Sequence, residues 1–337
     1  MSIECAFPLN EYPHILLAHG GGGKLMDDLI RKMFLVTFGD VNRHDGAILD
    51  ISPSKLIMTT DSFVVTPQFF PGGSIGKLAV YGTVNDLAMC GAQPKFLSLS
   101  FILEEGFPMK TLWQVCQDVK FAADECEVRI VTGDTKVVEK AKGDGIYINT
   151  TGIGPLINEF TGPENILEGD AIILNGDLGR HGMAIMAQRE GLEFDPEVES
   201  DCANLWAEVK KITQAGVNIH CMRDLTRGGL ASCLNELSAQ STRKIHLEAS
   251  AIKISEPVKS ACEILGLDPY TLACEGRFVL FVSNEYKDTV LQILAPTATC
   301  IGHVGETCKQ ATVIHTNELG VERFIDSPLG DLLPRIC

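Results

Sequence analysis

The chain has 337 residues, 45% of them hydrophobic, with a formal net charge of -16 and a pI near 4.9. A length of this order predicts two compact domains of roughly 150 residues each. The acidic balance disfavours sequence-independent binding to nucleic acid, because such binding needs Lys and Arg to neutralise phosphates.

Membrane insertion and export are also disfavoured. The sequence has no apolar run near the roughly 20 residues that a membrane-spanning helix needs, and its N-terminus lacks a basic region followed by an apolar segment. Its twelve cysteines are scattered singly without a CxxC pair, which favours reduced thiols over disulfides or a zinc or iron-sulfur site. We therefore expect a cytoplasmic protein.

Residues 1–45 are rich in glycine and polar residues around the run AHGGGGKLMDDLI. This predicts a flexible arm that leads into a short amphipathic helix. Successive glycines expose backbone N–H groups, and a following lysine adds a positive charge, so the loop suits a polyphosphate. The candidate residues are Gly20, Gly21, Gly22, Gly23 and Lys24.

The glycine loop does not have P-loop spacing. Ala18 and Leu25 occupy positions where that motif needs Gly and Ser or Thr. A nucleotide would therefore bind here in another geometry. The alternative is a glycine linker that has no ligand.

Two α/β domains are predicted to follow the arm. Within residues 46–157, β-rich runs such as KLIMTT, KFLSLSFIL and VRIVTG alternate with helical stretches, which indicates a first domain. The Pro- and Gly-containing segment INEFTGPENILEGD marks the boundary, and a second alternation extends over residues 158–316. Residues 317–337 contain two prolines and two glycines without periodicity, which predicts a mobile, weakly packed tail.

Four aspartates are candidate ligands for Mg²⁺. Strand ends in α/β domains face the ligand crevice, and Mg²⁺ prefers carboxylate oxygens that it shares with phosphates. Three of the aspartates follow β-rich runs or lie in polar breaks, and the fourth lies in an apolar helical stretch and needs a partner there. They are Asp45, Asp61, Asp134 and Asp86. Taken singly, Asp61 and Asp134 also fit turn or helix-capping roles.

The second domain contains a candidate anion site in the run MRDLTRGGL. Arg223 and Arg227 lie just before a helix that begins near Gly228, so guanidinium groups and free N–H donors converge there. The alternative is a surface ion pair between Asp224 and one of the two arginines.

Two further residues are candidates for chemistry. Glu275 directly precedes a buried-looking strand, where desolvation would raise its pKa and suit it to act as a base; the alternative is an ordinary turn residue. Cys337 is the last residue of the tail, from which its thiol could reach a distant pocket. It is not a prenylation signal, because a CaaX cysteine lies four residues from the end. The alternative is an incidental thiol.

Taken together, these stretches resemble the HypE family of hydrogenase maturation factors, in the PurM or aminoimidazole-ribonucleotide-synthetase-like ATP-binding superfamily. The resemblance extends over almost the whole chain and rests on the motifs AHGGGGKLM, TTDSFVV, FFPGGSIGKLAVYGTVNDLAM, ILEEG, IVTGDTKVV, INTTGIG, SDCANL, RDLTRGGL, CEILGLDP and PRIC.

The resemblance implies a two-domain α/β (α+β) subunit with a mixed-sheet C-terminal domain. Its N-terminal domains would pair in a homodimer, with ATP and Mg²⁺ bound in a cleft. The four aspartates become ligands of the metal and phosphates. Lys77 and Lys136 become phosphate partners, and the glycine loop becomes a flap over the nucleotide.

The resemblance also implies a reaction. A carbamoyltransferase of the HypF family would load Cys337 with a carbamoyl group, and ATP would phosphorylate the amide oxygen. Loss of phosphate, with Glu275 as the base, would leave an S-cyanate for iron held by HypC and HypD.

The sequence departs from the family pattern at several positions. Cys274 replaces a usual Asn, Arg277 stands where Lys is common, and His44 replaces an acidic residue before Asp45. Two alternatives remain: another enzyme of the superfamily that acts on a free substrate, and a nucleotide-gated scaffold that only docks maturation factors.

Overall fold

The computed structural model describes residues 12–20, 24–39, 49, 55–157, 161–328, 333 and 335–337. Asp45, His44 and Gly21 to Gly23 lie outside these described residues. No helix in the described ranges is long and apolar enough to cross a membrane.

The described part of the arm contains a 3-10 turn (Leu17–His19) and a longer helical stretch, composed of α1 (Lys24–Leu29), a π-helical turn (Ile30–Phe34) and α2 (Leu35–Phe38). Leu29 and Met33 are fully buried, as expected for the apolar face of an amphipathic helix. Phe34 stacks on Phe101 with ring centroids 5.5 Å apart, so this helical stretch packs against the first domain.

The first domain contains a four-stranded sheet covered on one face by two helices. Its elements are β1 (Leu56–Phe63), the short β2 (Phe69–Phe70) and β3 (Gly73–Ser74), α3 (Ile75–Met89), β4 (Phe96–Glu104), α4 (Met109–Glu125), β5 (Arg129–Val138) and β6 (Ile146–Pro155). The strand order is β1-β6-β4-β5, so β1 and β5 form the two edges. Nearly every residue of α3 is buried, because the helix is enclosed by the sheet, α4 and the second domain.

The second domain contains a seven-stranded mixed sheet. Its elements are β7 (Ala171–Leu174), α5 (Arg180–Glu190), α6 (Trp206–Gln214), β8 (Ile219–Asp224), α7 (Gly229–Ser241), β9 (Arg243–Glu248), α8 (Glu256–Leu265), β10 (Phe278–Val282), α9 (Lys287–Ile293), β11 (Thr299–Thr307), β12 (Val313–Thr316) and β13 (Glu322–Phe324). The strand order is β13-β12-β9-β11-β7-β10-β8. Every residue of β7 and β10 is buried, as expected for all-apolar strands covered on both faces.

The end of the tail is packed, whereas the sequence predicted weak packing. Ile336 is only 6% exposed and joins the main hydrophobic core. The physical reason is a groove that the sequence does not reveal: it accepts both the main chain and this apolar side chain of the last residues.

Candidate active site

The two domains enclose a cleft that contains two adjoining cavities. The larger, of about 670 Å³, is lined by the end of β1, by the start of α7 and by the end of the tail. The smaller, of about 530 Å³, lies between α3, β8 and α7. Arg227 and Glu236 line both. Cavities of a few hundred Å³ are large enough for a small-molecule ligand.

Asp61 and Asp86 lie near each other on the side of this cleft that the first domain forms. Asp61 pairs in register with Thr150, which is fully buried beneath α3, so Asp61 is directed to the helix-covered face. On the same face, Thr59 Oγ1 donates to Asp86 Oδ2 at 2.9 Å. Burial raises the pKa of Asp86, and the carboxylate of Asp61 raises it further.

A third carboxyl group, Asp224, belongs to the same site. Burial raises the pKa of Asp224 to about 7, and the neighbouring Asp86 contributes to the rise. From the sequence, Asp224 is expected only as a possible ion-pair partner of Arg223 or Arg227, whereas Arg223 pairs with Glu236, with Nη2 3.0 Å from Oε2. The position of Asp224 as the last residue of β8 is the signal by which it could be found.

Glu275 is 4% exposed and lies where several carboxyl groups converge. Burial raises its pKa well above the ordinary value, and Asp224 and Asp201 reinforce the shift. Its backbone N–H donates to Asp201 Oδ1 at 2.7 Å. Among the described residues, neither Glu275 Oε1 nor Asp201 Oδ2 has a hydrogen-bond partner. Asp201, which sequence reasoning did not single out, therefore holds the Glu275 main chain.

The tail brings Cys337 into the wall of the larger cavity, together with Asp61 and Arg227. The N–H of Val64 donates to the main-chain oxygen of Cys337 at 3.0 Å, and the N–H of Thr66 to the Arg335 carbonyl at 3.4 Å. The last residues therefore pair antiparallel with the segment that follows β1. We call this segment, residues 64–66, the docking segment.

Lys77, predicted as a phosphate partner, lies away from the carboxylates of the cleft. It precedes Asp86 by nine residues on α3, about two and a half helical turns, and so points to the side of the helix opposite to Asp86. Its Nζ lies 5.1 Å from the ring centroid of Phe121 on α4. The structure thus places Lys77 away from the Asp61 and Asp86 carboxylates.

Asp134 and Lys136 lie on β5, at the other edge of the sheet. Asp134 is in register with Ser100, and Ser100 with Asn149, which is in turn in register with Ser62. Asp134 therefore lies on the face opposite to Asp61, and three strand spacings separate them, about 14 Å. Within one chain, Asp61 and Asp134 cannot bind the same ion.

A second cluster forms around Asp134. Lys136 Nζ donates to Asp134 Oδ1 at 2.9 Å, and this hydrogen bond lowers the pKa of Asp134. A Cβ on Gly20 would lie 2.6 Å from Val137 N, so Gly20 approaches β5 closely. We call Gly20, Asp134 and Lys136 the β5 cluster, and Asp61, Asp86 and Asp224 the carboxylate cluster.

The carboxylate cluster fits a divalent cation by its chemistry. The carboxylate of Asp61 raises the pKa of Asp86, and both carboxylates raise the pKa of Asp224, an effect that a cation would relieve. The described residues contain no three His, Cys, Asp or Glu side chains close enough to enclose an ion. Mg²⁺ commonly binds one or two carboxylates and completes its shell with phosphate and water, so two aspartates beside an anion site suffice.

The N-terminal domain model of AIR synthase related proteins matches residues 43–156 of the chain, and the C-terminal domain model matches residues 168–315. The carbamoyl dehydratase HypE of Bradyrhizobium diazoefficiens is 43% identical over 330 residues, covering 95% of each chain.

Solved structures agree with this similarity. A hydrogenase maturation protein HypE in complex with ATP superposes with a TM-score of 0.92 at 41% identity, covering 96% of this chain and 99% of that one. A chain from a HypE-HypF complex superposes with a TM-score of 0.79 at 40% identity, covering 91% of this chain and 100% of the other. The two-domain fold expected from the sequence is confirmed.

Proposed function

This chain belongs to the HypE family of carbamoyl dehydratases, and we propose that it dehydrates a carbamoyl group on its own Cys337 thiol with ATP. The product, an S-cyanate, would supply the cyanide ligand of [NiFe] hydrogenase. The single observation that carries this proposal is the docked tail: Cys337 lines the same cavity as Asp61 and Arg227.

The reaction needs activation because an amide oxygen is a poor leaving group. The carbamoyl oxygen attacks the γ-phosphorus of ATP, and ADP leaves. The C–O bond then breaks as the nitrogen loses both protons, and thiocyanate and phosphate result. The sum is one S-carboxamide and one ATP converted to one S-cyanate, one ADP and one phosphate.

Different residues of the cleft suit different parts of this reaction. Asp61 and Asp86 would hold Mg²⁺, whose charge would offset that of the phosphates. Arg227 and the free N–H groups at the start of α7 suit the anion that forms. Glu275 suits the role of the base that takes a proton from the carbamoyl nitrogen, because its buried carboxylate, once ionised, is more basic than an exposed one.

The β5 cluster suggests a homodimer. The sheet face away from α3 is open, with Met58 68% exposed and Ile102 44% exposed. Pairing these faces would cover the apolar side chains and could offer Asp134 and Lys136 of one subunit to the nucleotide bound by the other.

Mixing two inactive variants tests this arrangement. Asp61→Asn and Asp134→Asn homodimers should each lose dehydration, whereas exchanged heterodimers should regain part of it, because one of their two sites is intact. A failure of any mixture to regain activity, with subunit exchange verified by mass, would contradict a shared site.

The partners follow from the same reaction. A relative was solved as a HypE-HypF complex, and we propose that a HypF-type carbamoyltransferase loads Cys337 here. An iron-bearing HypC-HypD complex would then receive the cyanide. Among the described residues, no two of the eleven cysteines form a disulfide, which supports a function in the reducing cytoplasm.

Intact-protein mass spectrometry tests the function directly. The protein is incubated with a HypF-type enzyme, carbamoyl phosphate and ATP, beside Cys337→Ala. A carbamoyl adduct on Cys337 that loses one water only with hydrolysable ATP is the expected result. An unmodified Cys337 would favour the alternative of an enzyme that acts on a free substrate.

A further inference from the structure

The main-chain oxygens of the last three residues all accept hydrogen bonds from distant parts of the chain. The Val64 N–H donates to the Cys337 oxygen and the Thr66 N–H to the Arg335 carbonyl, to which Arg189 Nη2 also donates. The carbonyl between them, that of Ile336, lies 2.7 Å from His181 Nε2. His181 thus contacts the peptide bond that joins Ile336 to the reacting residue.

The geometry determines which nitrogen of His181 carries the proton. The Ile336 carbonyl can only accept, so Nε2 must donate. Nδ1 lies 2.8 Å from Ser200 Oγ, which already accepts from the Cys202 N–H at 3.0 Å. His181 is fully buried, and burial lowers its pKa, so its ring is neutral. A neutral ring with its proton on Nε2 accepts at Nδ1, and the Ser200 hydroxyl therefore donates to it.

The segment that orients His181 also holds the proposed base. Ser200 contacts His181, and the next residue, Asp201, accepts from the Glu275 N–H. The Ser200 N–H is itself anchored to the Pro71 carbonyl at 2.8 Å. One short loop thus links the position of the tail to the position of Glu275.

We propose that His181 is a positioning residue for the dehydration. Through its Nε2–H bond to the Ile336 carbonyl, it holds the tail in the cleft and aligns the Cys337 carbamoyl group with Glu275. The proposal rests on the proposed function, because it takes Cys337 as the carrier. Loading by a separate enzyme requires the thiol to leave the cleft, so His181 should act on dehydration and not on carbamoylation.

The test compares His181→Leu with His181→Gln. Leucine keeps the apolar volume but removes the donor, whereas the glutamine amide nitrogen can reach the same carbonyl. With carbamoylated protein in single-turnover reactions, His181→Leu should dehydrate at least roughly tenfold more slowly, and His181→Gln should recover most of the rate. The ATP concentration for half-maximal rate should stay unchanged, since His181 contacts the tail.

His315→Leu is a matched control. His315 is 7% exposed, and both ring nitrogens are hydrogen-bonded, to Tyr270 and Arg323, so it is a buried histidine that does not contact the last three residues through either nitrogen. Its loss should lower stability without changing the dehydration rate of the folded protein. An equal slowing in both variants would overturn the positioning role.

Trypsin gives a readout that does not depend on the function. Cleavage after Arg335 releases the last two residues, and docking should protect this bond. Faster cleavage there in His181→Leu, with other sites unchanged, is expected. If His181→Leu were protected as well as the wild type, the positioning role of His181 would be overturned, whether or not Cys337 is ever carbamoylated. If His181→Leu were cleaved faster but Cys337 of the wild type stayed unmodified, only the proposed function would be rejected.

Discussion

Arg277 forms an ion pair with Asp177, with Nη2 2.7 Å from Oδ1, and this pair holds the guanidinium beside the buried carboxylate of Asp201. Arg277 Nε lies 4.0 Å from Asp201 Oδ2. The carboxylates around Glu275 are therefore partly compensated by one anchored cation. This relationship explains how the fold tolerates so many acidic groups at the cleft.

Replacing Arg277 by methionine should lower the free energy of unfolding by about 3 kcal/mol, because the buried Asp201 carboxylate loses its neighbouring cation and Asp177 keeps only Arg180. Urea unfolding measures this effect. Arg277→Lys should lower stability less, since a lysine keeps the charge but loses the paired hydrogen bonds. A methionine variant as stable as the wild type would show that Asp201 is not held by this charge.

Cys274 can be replaced by asparagine with little effect. Its Sγ accepts from the Gly179 N–H at 3.2 Å and lies 3.8 Å from the Leu272 carbonyl. An asparagine could accept the first bond through Oδ1 and donate to the second carbonyl through Nδ2. Cys274→Asn should change stability by less than about 1 kcal/mol in thermal unfolding and should retain dehydration. Cys274→Leu, which removes the acceptor, should be clearly less stable.

Stability without Mg²⁺ should decrease as the pH rises. Asp224 has a folded-state pKa of about 7 against an ordinary 3.8, so the folded protein retains a proton that the unfolded chain loses in this interval. The stabilisation from this proton is complete below pH 3.8 and is lost as the pH rises through about 7. Thermal unfolding at several pH values measures it.

Asp224→Asn is the control for this pH effect. An amide does not titrate, so the variant should show a flatter dependence and higher stability near neutral pH. Burial lowers the pKa of His181, so its titration makes stability rise with pH, opposite to the effect of Asp224. This contribution is the same in the wild type and in Asp224→Asn. Identical pH profiles would mean that Asp224 is not the group responsible.

Ile336→Ala should undock the tail. The side chain is 6% exposed, and its truncation removes apolar contacts that support the main-chain pairing of the tail. Trypsin should then cleave after Arg335 several-fold faster, whereas Ile336→Val, which removes one methylene, should stay close to the wild type. Arg335 also pairs with Asp144, but both side chains are partly exposed, so Asp144→Asn should change little.

The sequence allowed much of this to be predicted. Alternating β-rich and helical runs indicated two α/β domains, and the motifs around Asp61, Asp86 and Cys337 identified the family, which the comparisons confirm. These features are local, because periodicity and motif spacing depend on neighbouring residues. The sequence also pointed to Glu275 through its place before a buried strand.

Only the tertiary structure decided how these residues are combined. The register of the four-stranded sheet separates Asp134 from Asp61, although both follow similar runs. Asp224 and Asp201 became part of the site because burial and neighbouring charges depend on residues far away in the chain. The same holds for the tail: its pairing with the docking segment joins residues more than 260 positions apart, and no local pattern encodes such a contact.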